Sequence, residues 1–375
     1  MKIIADENIP YLRECFGQSA EVVSLNGRQL TRSDVKDADA LIVRSVTPVD
    51  KQLLEESSVR FVGSCTIGID HIDTDYLDQR GIQFASAPGS NADSAAQYTL
   101  CALLTLAQRF SLDLSNTTVG IVGCGNVGSR VKTLAEAVGC RTLLCDPPLA
   151  ERGRDGFVSL EEVVANSDIT SFHVPLTRKG RHPTWRMIDA KLLEHMPEHG
   201  ILINCARGDL IDAEALMEDI SRHDRRVVLD VWPNEPRIDA KLLSMVQIAT
   251  PHIAGYSLDG KLRGTEMVYA ACCKALGMKY IEPRVDLSRT QPLHLKSQLS
   301  EREAIHRACR DSYNIEADDE ALRELLIQPS FEQGAFFDRL RKHYPERREF
   351  AAYRCHGGSA ALRETLSKLG FDIGA

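Results

Sequence analysis

Residues 118–148 read TVGIVGCGNVGSRVKTLAEAVGCRTLLCDPP, and no other stretch limits the fold so tightly. An apolar run ends at Gly123, Gly125 and Gly128, spaced G-x-G-x-x-G, and an amphipathic stretch continues from Gly125 to Val138. A strand that turns abruptly into a helix needs this spacing. The first glycine permits the tight turn, the second lets backbone approach a pyrophosphate, and the third lets the helix lie close to the sheet. The N–H groups and positive dipole end of such a helix attract phosphate. A second apolar run, Arg141–Cys145, delivers Asp146, 18 residues after Gly128. A carboxylate there accepts hydrogen bonds from ribose hydroxyls and repels a 2′-phosphate, so the motif predicts NAD rather than NADP.

Short apolar runs recur along the chain at Lys2–Ala5, Ala40–Val43, Arg60–Val62, Thr118–Val122, Ile169–His173, Gly200–Asn204, Arg226–Asp230 and Met245–Ala249. Helical patterns separate them at Asn91–Arg109, Leu160–Ala165, Asp212–Ser221 and Lys261–Leu276. Such alternation predicts an α/β fold with parallel sheets. The long apolar segment Ala92–Phe110 reads as a helix bridging two lobes, and a fresh strand–helix series starts at Thr118. The stretch KYIEPRVDLSRTQPLHLKSQLS reads as a linker or irregular crossover. Beyond it the chain is charged and mixed, with helical candidates near Arg302–Asp311 and Asp319–Leu326.

The 375 residues carry ordinary globular fractions of apolar (43%) and charged (26%) residues, enough for two or three domains. A formal net charge of −8 argues against general nucleic-acid binding and requires a local basic pocket for any anionic substrate. The eleven cysteines form no CxxC pair and no zinc-like cluster, so no metal site is expected. An odd cysteine count without a signal peptide points to a cytoplasmic protein, and no apolar run is long enough for a membrane span.

Three further strand ends carry chemistry. GILINCARGDL places Arg207 just past an apolar run, RVVLDVWPNEP ends at Asp230 and leads to Glu235, and VQIATPHIAG delivers His252. Carboxyl ends of strands form the ligand crevice of an open α/β sheet. Oxidation of a 2-hydroxy acid requires a base for the hydroxyl proton while hydride leaves C2, and histidine suits that exchange near neutral pH. A carboxylate beside it favours the imidazolium, the role expected of Glu235. An arginine holds the substrate carboxylate through its planar fork, the role expected of Arg207. Each residue alone has a plain structural reading; behind a dinucleotide motif the three together form a catalytic set.

With GIDHID (Gly68–Asp73), APGSNADSAAQ (Ala87–Gln97), HVPLT (His173–Thr177), NCARGDLID (Asn204–Asp212), DVWPNEP (Asp230–Pro236) and TPHIAG (Thr250–Gly255), residues 1–280 resemble the D-isomer-specific 2-hydroxyacid dehydrogenases. The resemblance implies two Rossmann-like or flavodoxin-like lobes. A substrate-binding lobe would span 1–90, completed by 253–280, and an NAD-binding Rossmann domain would span 91–252. It places the family's catalytic Arg, Glu and His on Arg207, Glu235 and His252. Its dinucleotide contacts fall on Asn126, Val127, Asp146, Val174, Ala206, Asp230 and Gly255, beside Gly123, Gly125 and Gly128.

This sequence also departs from many members of the family. Thr66 replaces a glycine, Gln97 replaces a glutamate, and the residues after His252 differ. With LIVRSVTPV (Leu41–Val49) and the C-terminal extension, these departures resemble a branch of the family acting on a small phosphorylated hydroxy acid. That likeness implies substrate contacts at Ser45, Thr66 and Tyr256; Arg44, Lys261 and Arg263, as basic residues nearby, are candidates for the phosphate. It also implies a small C-terminal α+β dimerisation domain at 281–375, hence a homodimer. Two alternatives stand beside it: a sister enzyme such as a 3-phosphoglycerate dehydrogenase, and an NAD(H)-sensing corepressor-like binding protein.

Overall fold

The computed structural model describes residues 1–287, 290–296 and 298–374. These form two compact units, one of Met1–Asn91 with Ser257–Arg289 and one of Ala92–Tyr256 with Thr290–Ala375.

In the first unit, β1 (Lys2–Asp6), β2 (Glu21–Leu25), β3 (Ala40–Val43), β4 (Phe61–Ser64) and β5 (Gln83–Ser86) form a parallel sheet in the order β2-β1-β3-β4-β5. This is the flavodoxin-like order, whose reversal beside β1 leaves a crevice at the strand ends. The helix Leu258–Leu276 packs on it. A side chain at Gly63 of β4 would collide with Val268 of this helix, so a glycine is required there. Buried Ile3, Ala5, Ile42 and Phe61 meet Val268, Tyr269 and Cys272 of the helix.

The second unit holds β6 (Thr118–Val122), β7 (Arg141–Cys145), β8 (Ile169–Phe172), β9 (Ile201–Asn204), β10 (Arg226–Leu229) and β11 (Ile248–Ala249), all parallel, in the order β11-β10-β9-β8-β6-β7. Successive strands step to one side of β6 and then return past it, so the order reverses at the glycine motif. Every residue of β6, β8 and β9 is buried, as expected of a sheet covered on both faces. The segment expected to bridge two lobes forms a helix, Ala92–Arg109, that lies wholly in this unit and is buried over most of its length.

Two expectations need correction. The apolar run Met245–Ala249 is strand only at Ile248–Ala249. Asp239 accepts hydrogen bonds from the Lys241 and Leu242 amides and starts a helix, Ala240–Met245, that buries Leu242 and Leu243. The stretch read as a linker contains a strand, β12 (Gln291–His294), which joins β13 (Tyr353–His356) and β14 (Asp372–Ile373) in a small parallel sheet. Pro292 is tolerated because β12 is an edge strand.

The C-terminal segment is built into the second unit. Asp319, on the helix Ile315–Arg323, accepts a hydrogen bond from the Ala249 amide at 2.7 Å, and Arg323 donates to the carbonyls of Leu243 and Val246. The short edge strand β11 is thereby closed off, which removes a pairing liability.

Candidate active site

The dinucleotide turn is formed as its glycines require. Gly123 adopts φ +91°, and a Cβ there would press on Val174 and the His173 carbonyl, so the loops after β6 and β8 adjoin. A Cβ at Gly128 would collide with the carbonyl oxygen of Gly123. A Cβ at Gly125 would meet nothing within 4 Å, so the helix Asn126–Ala137 presents open backbone where a pyrophosphate would sit. Gly125 is its N-cap and no side chain caps the first turn, leaving the amides around Asn126 and Val127 for an anion. Asp146, at the end of β7, accepts from the Cys124 amide at 2.8 Å and from the Leu149 amide at 3.0 Å. The carboxylate is thus tied to the glycine loop, and the donor set fits NAD.

The two residues expected to form the acid–base centre stand as a direct pair. His252 Nδ1 lies 2.7 Å from Glu235 Oε2, and Glu235 Oε1 accepts from the Trp232 amide at 2.8 Å. Burial pushes the Glu235 carboxyl up, but the His252 imidazole, its hydrogen bond and the charge of Arg341 outweigh this and hold it below the usual range. Glu235 is therefore ionised, which fixes a proton on Nδ1 and leaves Nε2 for exchange with a substrate. His252 adopts φ +57°, an uncommon conformation for a non-glycine residue. Its amide donates to the Asp230 carbonyl at 2.7 Å, so the strained turn is anchored on β10.

Asp230 builds this loop. It is 1% exposed, and its carboxylate accepts from Thr250 Oγ1 (2.6 Å), the Ile253 amide (2.7 Å) and the Ala254 amide (2.9 Å). Burial raises its carboxyl above the ordinary value, against these hydrogen bonds and the charge of His252. Tyr98 Oη sits 2.8 Å from Thr250 Oγ1, and Trp232 Nε1 donates to the Thr250 carbonyl at 3.0 Å. Gly255 lies in the turn closed by the Tyr256 amide donating to the Ile253 carbonyl at 2.8 Å.

Arg207 follows β9. Asn204 shapes its turn by donating to the Arg207 carbonyl and accepting from the Ala206 amide. A side chain at Gly208 would collide with the Trp232 carbonyl, so this glycine lets the loop carrying Arg207 press against the loop carrying Glu235. Arg207, Glu235 and His252 thus leave the ends of three neighbouring strands, β9, β10 and β11. Burial pushes the His173 imidazole down to about 3, although the residue is only half-buried, and Ser171 Oγ and Cys205 Sγ stand beside its two nitrogens.

Ser45 and Thr66 belong to the first unit, in the loops after β3 and β4. Ser45 is exposed, and Thr66 Oγ1 lies 2.8 Å from Ser64 Oγ. Arg44 grips the fully buried Asp6 through Nε (3.1 Å) and Nη2 (3.3 Å), and Arg263 donates to the Ser90 carbonyl. Among the described residues no group of three or more His, Cys, Asp or Glu could hold a metal. Arg341, outside every sequence motif, donates to Tyr256 Oη at 2.9 Å. No local pattern marks it, since 85 residues separate the partners.

Residues 98–254 match the NAD-binding domain of the D-isomer specific 2-hydroxyacid dehydrogenases, and residues 285–370 match a domain of unknown function. The chain is 45% identical to an erythronate-4-phosphate dehydrogenase of Marinobacter nauticus over the whole of both chains. It is 43% identical to one of Pseudomonas fluorescens, covering 99% of each. Its fold is similar to an NAD+-bound 3-phosphoglycerate dehydrogenase of Entamoeba histolytica (TM-score 0.64, 26% identity), over 74% of this chain and 95% of that one.

Proposed function

This chain belongs to the D-isomer-specific 2-hydroxyacid dehydrogenases, in their erythronate-4-phosphate dehydrogenase branch, and from that premise we propose that it oxidises 4-phospho-D-erythronate to 2-oxo-3-hydroxy-4-phosphobutanoate in the biosynthesis of pyridoxal 5′-phosphate. The observation that carries the chemistry is the 2.7 Å contact between His252 Nδ1 and Glu235 Oε2.

NAD, when bound, supplies the acceptor for the hydride that leaves C2. Gly123, Gly125 and Gly128 would admit its pyrophosphate, with Asn126 and Val127 at the helix start and Asp146 on the ribose. Val174, Ala206, Asp230 and Gly255 would line the remainder; for Asp230 any such contact adds to the three hydrogen bonds it already accepts. His252 takes the C2 hydroxyl proton at Nε2 as the carbonyl forms. Glu235 stabilises the imidazolium that results, and Arg207 holds the substrate carboxylate. Ser45, Thr66 and Tyr256 contact the substrate and distinguish it from simpler 2-hydroxy acids.

We place the enzyme in the cytoplasm as a homodimer joined through its C-terminal segment. Eleven free cysteines and the absence, among the described residues, of a helix able to cross a membrane accord with the first point. Ile327 and Phe331, each 82% exposed, offer an apolar surface for the second. No nucleic-acid partner is proposed. Deuterium placed at C2 of 4-phospho-D-erythronate should appear in the NADH formed, whereas turnover that leaves NADH unlabelled would contradict hydride transfer from that carbon.

A further inference from the structure

The helix Gln333–Lys342 belongs to the C-terminal segment, beyond the part that matches the dehydrogenase domain, yet its Arg341 reaches Tyr256 on the loop that carries His252. Arg341 is held over the Tyr256 ring, 5.5 Å from its centroid, and Nη2 donates to Tyr256 Oη at 2.9 Å. Its Nε is buried without a hydrogen-bond partner. A guanidinium in such a setting is costly to desolvate and is retained where its charge is used. Tyr344 meets Tyr256 edge-on at 5.9 Å, and Arg347 donates to the Ala254 carbonyl at 3.2 Å. Two to four residues after His252, the chain is therefore clamped by three side chains of the C-terminal segment.

We infer that Arg341 is a positioning residue of the dehydrogenase reaction, fixing Tyr256 for the substrate and setting a positive charge against the loop that carries His252. Burial works against the charged form of Arg341, but the Tyr256 hydroxyl, Glu235 and Asp230 outweigh it and keep the guanidinium protonated. Charged and titratable groups near the pair include Arg341 from the Gln333–Lys342 helix, Asp230 just past β10, Arg207 from the loop after β9 and, beside Arg341, Tyr256. Removing a cation favours protonation of both members of a coupled pair, so both titration steps move to higher pH.

The substrate part of this inference rests on the proposed reaction; the titration part does not. In Arg341→Met, ring NMR of His252 and carboxyl NMR of Glu235 should show both steps raised by at least about half a pH unit. Arg341→Lys, which keeps the charge, should restore them. With 4-phospho-D-erythronate, Arg341→Met, Arg341→Lys and Tyr256→Phe should each lose about tenfold or more in kcat/KM, because each breaks the hydrogen bond between the two side chains. Tyr256→Phe, a small change if Arg341→Met folds poorly, should leave the titration in place. An unshifted titration in Arg341→Met, or a Tyr256→Phe enzyme within twofold of wild type, overturns the inference. A shifted titration in a protein that does not turn over 4-phospho-D-erythronate upholds the charge role and removes the proposed substrate.

Discussion

His252 Nδ1 and Glu235 Oε2 stand 2.7 Å apart, although one residue follows β11 and the other lies in the loop after β10. In the proposed reaction the two ring nitrogens have different work: Nδ1 carries a proton toward the carboxylate, and Nε2 would exchange one with substrate. Replacing His252 with alanine should lower kcat by about 10²–10⁴, the usual worth of general acid–base catalysis. NAD affinity, measured by titration of bound cofactor, should change little. Loss of both together would make His252 structural.

Glu235 sets a pH dependence of known sign. Its carboxyl titrates below the ordinary value of 4.5, so its pairing is fully present above that value and is lost as pH falls through the lower folded value. Glu235→Gln removes the carboxylate that favours imidazolium. The rising limb of kcat/KM for oxidation, which requires a neutral imidazole, should then move to lower pH. A limb that stays in place removes Glu235 from this role.

The glycines of the dinucleotide turn should separate folding from binding. A Cβ at Gly128 would collide with the Gly123 carbonyl, whereas one at Gly125 meets nothing within 4 Å. Gly128→Ala should therefore lower Tm. Gly125→Val should keep Tm near wild type while raising the Kd for NAD at least about tenfold, since the added bulk stands where the pyrophosphate approaches. Equal effects on Tm would contradict this division.

Arg207→Lys keeps the charge and loses the planar fork. Expected is a rise in KM and a fall in kcat, together costing at least about tenfold in kcat/KM. An enzyme within twofold of wild type would show that Arg207 does not bind the substrate carboxylate.

Much of the second unit was legible because buried parallel strands read as short apolar runs with a polar residue just past the end. Thr118–Val122 and Arg141–Cys145 have the bounds expected of them, and Arg207, Glu235 and His252 follow strands as their spacing implied. Glu21–Leu25 and Gln83–Ser86 escaped notice because each is an edge strand with polar or exposed positions. The run before His252 misled because Leu242 and Leu243 are buried by a short helix as readily as by a strand. In the C-terminal segment, Pro292 and His294 disguise an edge strand whose partner lies some sixty residues away, at Tyr353–His356. Local periodicity carries no trace of pairings at that separation, and the same holds for Arg341 and Tyr256.

The central claim is the identity of the substrate, and a panel of 2-hydroxy acids assayed for NADH formation tests it most directly. In the proposed reaction, specificity would depend on hydroxyl and phosphate groups that a matched site hydrogen-bonds and a shorter acid leaves unpaired. The account predicts kcat/KM for 4-phospho-D-erythronate at least about a hundredfold above that for 3-phosphoglycerate, glycerate or lactate. Equal turnover of the panel, or preference for 3-phosphoglycerate, would contradict it.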